Sequence, residues 1–428
     1  MTRINNDNRL ARRLNAEKRF QFFCISAIAF SLIFVIILFI NIFSSGYSAF
    51  YKTVIAVDLD VTQIEEDITS LTDMEIRKLD IFRLSKNTIY SLYPGLDDRK
   101  SKKMLIKIFS IEYEDEIKSH LIKNKNSLSN IETIYLTASD DVDQVKKGNY
   151  PRELSEDRRR IKDIQLSFYD DLEAKGKVKY IFNIPFLTRG DSREPELAGV
   201  GGSLLGSFFT IVTVLILSFP IGILSAIYLQ EFAKSNRITD FIEININNLA
   251  AVPSIVFGLL GLGIILNVFE FPRSTPLVGG MVLALLTLPR IIIPTRAALR
   301  AVPPSIREGA LAVGATKMQT VMHHVVPLAM PGALTGTIIG LAQALGETAP
   351  LLLIGMVAFV VDVPSSPLDA SASLPVQVYL WAESAERGYV EKTSATIMLL
   401  LLFLILMNLA AVIIRRKFET KWKNTFHE

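Results

Sequence analysis

Cysteine is almost absent from this chain of 428 residues: Cys24 is the only one. It sits in an apolar run, and a lone cysteine excludes any intrachain disulfide. Histidine is nearly as scarce. His323 and His324 are adjacent while His120 and His427 are far away, so the spacing of a Cys/His zinc site is missing. An excess of one charge is missing too. Lys plus Arg number 46 and Asp plus Glu 43, a net charge of +3 that gives no reason to expect nucleic acid as a partner. There is no phosphate-cradling glycine loop. The nearest approach is Gly176-Lys177, where Val178 replaces the required Ser or Thr and Asp171 stands at the first glycine position. With no nucleophile–base pair and no metal spacing, no catalytic residue, metal or cofactor is expected, and any ATP must be hydrolysed by another subunit.

Apolar residues, by contrast, make up 50% of the chain, and the mean hydropathy is +0.34. The charges are unevenly spread: 53 of the 89 fall between Ser45 and Ala198. A polar insert of about 150 residues within a membrane protein explains this, and a single soluble domain is excluded. A membrane-crossing helix needs about 20 apolar residues. Six runs qualify: Phe22–Phe43, Leu204–Leu229, Leu249–Phe269, Leu277–Ala297, Leu334–Ile354 and Ser394–Ile414. The fifth continues apolar to Val361, with Pro350 as a candidate break. The first is longer than the ~7–15 residues of a signal-peptide core, which favours an anchor.

Basic residues in short segments orient the chain. Arg3, Arg9, Arg12, Arg13, Lys18 and Arg19 precede the first span, and Arg415, Arg416, Lys417, Lys421 and Lys423 follow the last. Both termini are therefore expected on the cytoplasmic side, and the insert outside, in a multi-pass protein of a bacterial inner membrane. The absence of cysteine from the insert fits that side.

The insert mixes periodicities. Asn130–Thr137 and Lys177–Phe186 alternate as strands do, while Thr72–Ser91 and Leu154–Ala174 suit helices. Ser155 has capping-box spacing to Arg158, an imperfect match because position N3 calls for Glu or Gln. Arg158, Arg159 and Arg160 share that stretch with Glu156, Asp157 and Asp163 and are expected to form a solvated helix face. An α+β domain follows.

Between spans four and five lies a segment of about 30 residues, longer than a plain connector needs. Pro303 and Pro304 stop one helix and start another, Gly314 is placed to end it, and Thr316–His323 suits a second short helix before Pro327 and Pro331 lead back into the membrane. A helix–turn–helix on the membrane surface is expected. Glu308-Gly309-Ala310, Gly314 and His324-Val325-Val326-Pro327 resemble the EAA loop of binding-protein-dependent ABC importer permeases. Glu308, Ala310, Gly314 and Pro327 match that pattern at its spacing, and Gly309, His324 and Val326 depart from it. The resemblance implies that this loop docks into a partner ATPase.

Two further stretches, Asn247–Gly258 and Gln343–Leu352 with its Gly346-Glu347-Thr348-Ala349-Pro350 core, resemble phosphate permeases of the PstA type. The run Gly190–Gly199 together with the insert resembles a branch carrying an extra N-terminal extracytoplasmic domain. The fold implied is an all-α polytopic membrane protein, six transmembrane helices in a MetI-like permease core, with an inserted α+β extracytoplasmic domain. The divisions are 1–45 (tail and first transmembrane helix), 46–198 (insert), 199–414 (core of five helices with loop 301–331) and 415–428 (tail). The implied function is ATP-driven import of inorganic phosphate by alternating access. The implied partners are a homologous permease (PstC type), an ATPase dimer (PstB type) and an extracytoplasmic phosphate-binding protein (PstS type).

Independently of resemblance, an ionisable residue within a span demands a partner or a role. Arg290 lies mid-span in the fourth helix and Glu347 about 20 Å along the fifth. The two either pair structurally or form an anion path with Gln343 and Thr348. Many such phosphate permeases carry Arg where this chain has Gln343, so Arg290 or the partner permease has to supply the positive charge. Arg296 and Arg300 are expected to face lipid headgroups or the ATPase. An importer of another oxyanion or small solute, or a membrane-anchored receptor whose outer domain senses a ligand, are the alternatives left open.

Overall fold

The computed structural model describes residues 2–64, 68–125, 130–150, 152–357 and 359–425, and side chains outside 2–9, 418–419 and 421–425. The side chains of Arg3, Arg9, Lys421 and Lys423, and all of His427, lie outside the described residues. A single helix, α1 (Thr2–Gly46), carries the first apolar run, which is largely exposed, as lipid contact requires. The chain leaves it through a turn at Tyr47–Phe50 and enters β1 (Tyr51–Asp60).

The insert then builds α2 (Asp73–Lys78), α3 (Phe82–Tyr90), α4 (Arg99–Ile106), α5 (Tyr113–Asn124), β2 (Ile131–Thr137), α6 (Asp140–Lys146), α7 (Asp163–Ala174), β3 (Val178–Phe182) and α8 (Ile184–Thr188). The three strands form one antiparallel sheet in the order β2-β1-β3. Ile55, Val57 and Leu59 point from one face of β1 into a core completed by Ile76, Ile89, Leu105, Ile117 and Tyr169. Tyr51 pairs with Phe182, and the Asn183 N–H and side chain donate to the carbonyls of Phe50 (2.8 Å) and Ala49 (3.2 Å). The two ends of the insert are thus joined side by side.

Three local expectations are corrected here. Thr72–Ser91 is two helices, because the Thr72–Glu75 capping box starts α2, Leu79 turns extended, and Asp80 accepts from the Phe82 N–H to start α3. Leu154–Ala174 shortens to α7. Ser155 caps nothing through its side chain, while the Gln165 side chain reaches back to the Lys162 N–H; a long acceptor at N3 is what Arg158 cannot supply. The second alternating run ends at Phe182, because Asn183 caps α8. The three arginines consequently do not share a helix face: Arg159 pairs with Asp163, and Arg160 reaches Glu386, 3.4 Å away.

The remainder is helical: α9 (Gly201–Ile227), α10 (Arg237–Ala251), α11 (Ser254–Leu260), α12 (Pro276–Ala301), α13 (Pro304–Ala312), α14 (Lys317–Thr320), α15 (Val326–Gly346), α16 (Ala349–Leu353), α17 (Leu374–Ala382) and α18 (Gly388–Thr425). Among the described residues, five helices are long and apolar enough to cross a membrane, six if a bent pair counts as one span. That pair replaces the straight third span expected over Leu249–Phe269. Residues 237–251 and 254–266 meet at 106°, since Pro253 lacks an N–H and forces Val252 to be extended. The fifth span also differs. It runs without interruption from Lys317 through a π-helical turn at Val321–Val325 to Gly346, and breaks at Glu347–Thr348 rather than at Pro350, which occupies the first turn of α16.

Helix α12 is the hub, packed on α9 and α15. Gly280 meets Thr213 and the Thr210 carbonyl of α9, and Gly336 of α15 meets Pro294 with no room for a Cβ. Small residues let these backbones approach, which is how helices associate where lipid is as apolar as they are.

Candidate functional site

The segment between α12 and α15 is a hairpin held from below by one side chain. Arg307, in the second turn of α13, sends its guanidinium to Glu231, with nitrogens at 2.7 and 3.2 Å from the two carboxylate oxygens. The same group donates to the carbonyls of Val302 (2.7 Å) and Leu299 (2.9 Å) at the end of α12. A planar fork suits this bidentate grip and leaves donors for the orphan carbonyls of a helix C-terminus. Glu231 is buried at the end of α9, in a π-helical turn over Tyr228–Phe232. The next residue, Phe232, carries the Lys317 ammonium 5.3 Å from its ring centroid. Both arms of the hairpin are therefore tied to the dipeptide that ends α9.

Gly314 makes the turn with φ +90, a conformation that favours glycine. Thr316 and Gln319 form a capping box that starts α14. Glu308 and Gly309 are exposed, Ala310 is buried and Pro327 is buried at the base of α15. His324 is half-buried and His323 exposed. Gly309 stands where the EAA pattern has alanine. A Cβ at this position would meet nothing within 4 Å, so open space rather than a clash surrounds it. Between these residues the hairpin presents apolar side chains to the outside: Leu311, Met318 and Val313, the last 86% exposed.

The charges within the spans come together only in part. The Arg290 stem lies against Gly340 of α15, and its Nη1 is buried without a hydrogen-bond partner among the described residues. Arg290 and Glu347 form no ion pair within 4 Å among the described residues. Glu347 sits where α15 stops, its backbone extended, with Thr348 at the start of α16 and Gln343 exposed one turn earlier. Arg296, its side chain 13% exposed, pairs with Glu243 of α10. Arg300 reaches Gln230 at 3.4 Å.

A second buried charge cluster fastens the insert to the core. Lys147 lies between Asp143 (2.6 Å) and Glu391 at the start of α18 (2.7 Å), and Ser48 also donates to Glu391 (2.6 Å). The Lys392 ammonium donates to the Ala198 carbonyl at 2.6 Å. Beside them, burial and the neighbouring carboxylates push Asp140 up to about 8, and burial pushes Glu196 up to about 7. Neither Glu231, Glu243 nor Glu391 was found by sequence reasoning. Each meets its partner across at least 53 residues, and no local spacing signals such a pair.

Apolar helices closing around α12, with a clamped hairpin at one end, define a multi-pass membrane permease. Residues 218–423 match the family described as binding-protein-dependent transport system inner membrane component, and residues 7–156 match a domain of unknown function, DUF3333. Over 230 residues the chain is 32% identical to phosphate transport system permease protein PstA 1 of Mycobacterium tuberculosis (strain ATCC 25618 / H37Rv), covering 53% of this chain and 73% of that one. It is 32% identical over 167 residues to the probable ABC transporter permease protein YqgI of Bacillus subtilis (strain 168), which covers 39% of this chain and spans 56% of that protein's length. Among solved structures, a chain of the inward-facing MetNI methionine ABC transporter aligns at 20% identity with a TM-score of 0.41, covering 51% of this chain and 94% of its own. The chain belongs to the family of binding-protein-dependent ABC importer permeases.

Proposed function

We propose that the chain is the permease subunit of an ATP-driven importer for inorganic phosphate, with the hairpin on the cytoplasmic side and the insert outside. The observation that carries the reading is the four-bond grip of Arg307 on Glu231 and the end of α12. It makes the hairpin move with α9 and α12, so a push on exposed Glu308, Leu311 and Val313 is delivered to the span that carries Arg290. An ATPase dimer supplies that push when it closes on ATP, and a homologous permease completes the translocation path. A phosphate-binding protein delivers the anion from outside. Phosphate is favoured by the PstA relatives and by Arg290, whose buried, unpartnered Nη1 is a donor suited to an oxyanion. Glu347 holds that arginine's charge in check between transport events, in an alternating-access cycle.

The test is ATP-dependent uptake of labelled phosphate in cells lacking this gene, complemented by wild type or by Glu308→Lys, with sulfate, molybdate and arsenate as competitors. Restoration by wild type alone, competed by arsenate and not by sulfate, supports coupling and substrate together. Uptake that ignores deletion in cells with no second phosphate system overturns the substrate, and full complementation by Glu308→Lys overturns the coupling role.

A further inference from the structure

Strand β3 breaks the rule that a strand shows one face to a core and one to water. Tyr180, Ile181 and Phe182 are consecutive, bulky and all exposed, Phe182 by 49%. Ile184, the first residue of α8, is 61% exposed. On the other side of the insert's joined ends stands Tyr47, 62% exposed, its ring 5.4 Å from that of Tyr51, which meets Phe182 edge-on at 6.0 Å. Tyr47, Tyr51 and Phe182 form one continuous aromatic cluster, with Ile181 on the other face of the same strand end and Ile184 just beyond it, and such a rim marks an interaction surface.

Its height relative to the membrane is fixed twice. Tyr47 follows the apolar run of α1 by four residues, about 6 Å of helix rise beyond its end, and Phe182 is held level with it by the Tyr51 pairing and the Asn183 bonds to Ala49 and Phe50. Independently, α8 abuts the beginning of the next span: a Cβ on Gly201 would fall 2.8 Å from the Thr188 carbonyl. Both spans that flank the insert therefore begin or end at the level of the rim. That is the headgroup layer, where amphipathic tyrosines and flanking apolar side chains are enriched.

We propose that this end of the insert rests in the headgroup layer of the leaflet nearest to it, so that the lipid surface is the partner that covers Tyr47, Tyr51, Ile181, Phe182 and Ile184. The contact is aromatic and apolar rather than electrostatic. The basic residues closest to it are turned to carboxylates: Lys147 is buried between Asp143 and Glu391, and Lys52, beside Ile181, lies 3.7 Å from Glu116 and donates to Thr137. Recognition is accordingly indifferent to the share of anionic lipid.

The experiment uses the complete transporter in phosphatidylcholine nanodiscs, with Cys24→Ser as background and single cysteines introduced as Phe182→Cys or Ile184→Cys, each carrying a bimane label. Met74→Cys on α2, at a site 68% exposed, is the control. A nitroxide on the lipid headgroup should quench the labels at 182 and 184 at least about threefold more than the control, because rim residues lie at headgroup depth. Replacing a third of the lipid by phosphatidylglycerol should leave that ratio unchanged. Equal quenching at all three sites overturns the proposal. So does quenching seen in the isolated chain and lost in the complete transporter, which would assign the rim to a partner subunit.

Discussion

Arg307→Ala removes one side chain and four hydrogen bonds. It leaves the Glu231 side chain, 8% exposed, without its guanidinium, and strips the Leu299 and Val302 carbonyls at the end of α12 of their donor. Breaking a buried ion pair from one side costs about 3–5 kcal/mol. Arg307 is partly open to solvent, so the lower end, about 3 kcal/mol, applies. At about 1.4 kcal/mol per factor of ten, the population of hairpins released from α9 and α12 rises by roughly 100-fold. Arg307→Lys keeps the charge and loses the fork, and should cost about half as much. Two assays follow. Amide hydrogen exchange across residues 303–316 should speed up in the order wild type, Lys, Ala. In proteoliposomes holding the complete transporter, ATP hydrolysis should persist while import per ATP falls. The pair Glu231→Arg with Arg307→Glu should restore part of both. If Arg307→Ala leaves exchange in 303–316 at the wild-type rate, the clamp reasoning is wrong. If exchange speeds up while import per ATP holds, the clamp is real but does not transmit the stroke.

Two further outcomes follow from other parts of the molecule. Asp140 and Glu196 bind protons in the folded junction that they release in the unfolded chain, so between about pH 4 and pH 8 the native state holds more protons and its stability falls as pH rises. Glu196, Asp143, Asp141 and Glu391 face Asp140, with Arg160 and Lys392 the nearby cations; limited proteolysis around residues 140–147 should increase from about pH 6 to pH 9, Asp140→Asn should flatten the rise, and a flat wild-type profile would refute it. Gly280→Leu drives a side chain into Thr213 and the Thr210 carbonyl and should cost about 1–3 kcal/mol or more in helix assembly, read as a lower melting temperature; Gly309→Ala, with open space around it, should be neutral or stabilise by up to ~1 kcal/mol.

What could be read from the sequence followed from properties carried by single segments. The apolar runs named four of the spans closely, and the Pro303–Pro304, Gly314 and Thr316 signals marked the hairpin because each acts on its own backbone. The misses have a common cause. The bend at Val252–Pro253 sits inside an apolar run, so composition hides it and only the missing N–H betrays it. Pro327 and Pro331 suggested a fresh start, but the π-helical turn before them lets α14 flow into α15. Arg290 and Glu347 were visible as charges in apolar surroundings, whereas Arg307–Glu231 and Lys147–Glu391 were not, because pairs 76 and 244 residues apart leave no periodic trace.

The paired ends of the insert carry an evolutionary consequence. The chain goes out through Phe50 and comes back through Asn183, two residues already joined by a hydrogen bond of 2.8 Å. Deleting residues 51–182 and splicing the ends would span almost no distance, so closing the gap costs little chain entropy. The shortened protein would carry several scars: a Glu391 that has lost Lys147 and keeps Ser48, a Glu386 without Arg160, and an Arg189 without Glu112. A permease with this doorway can acquire, exchange or shed an inserted domain in one genetic event, without pulling apart the two backbone ends that Phe50 and Asn183 already join.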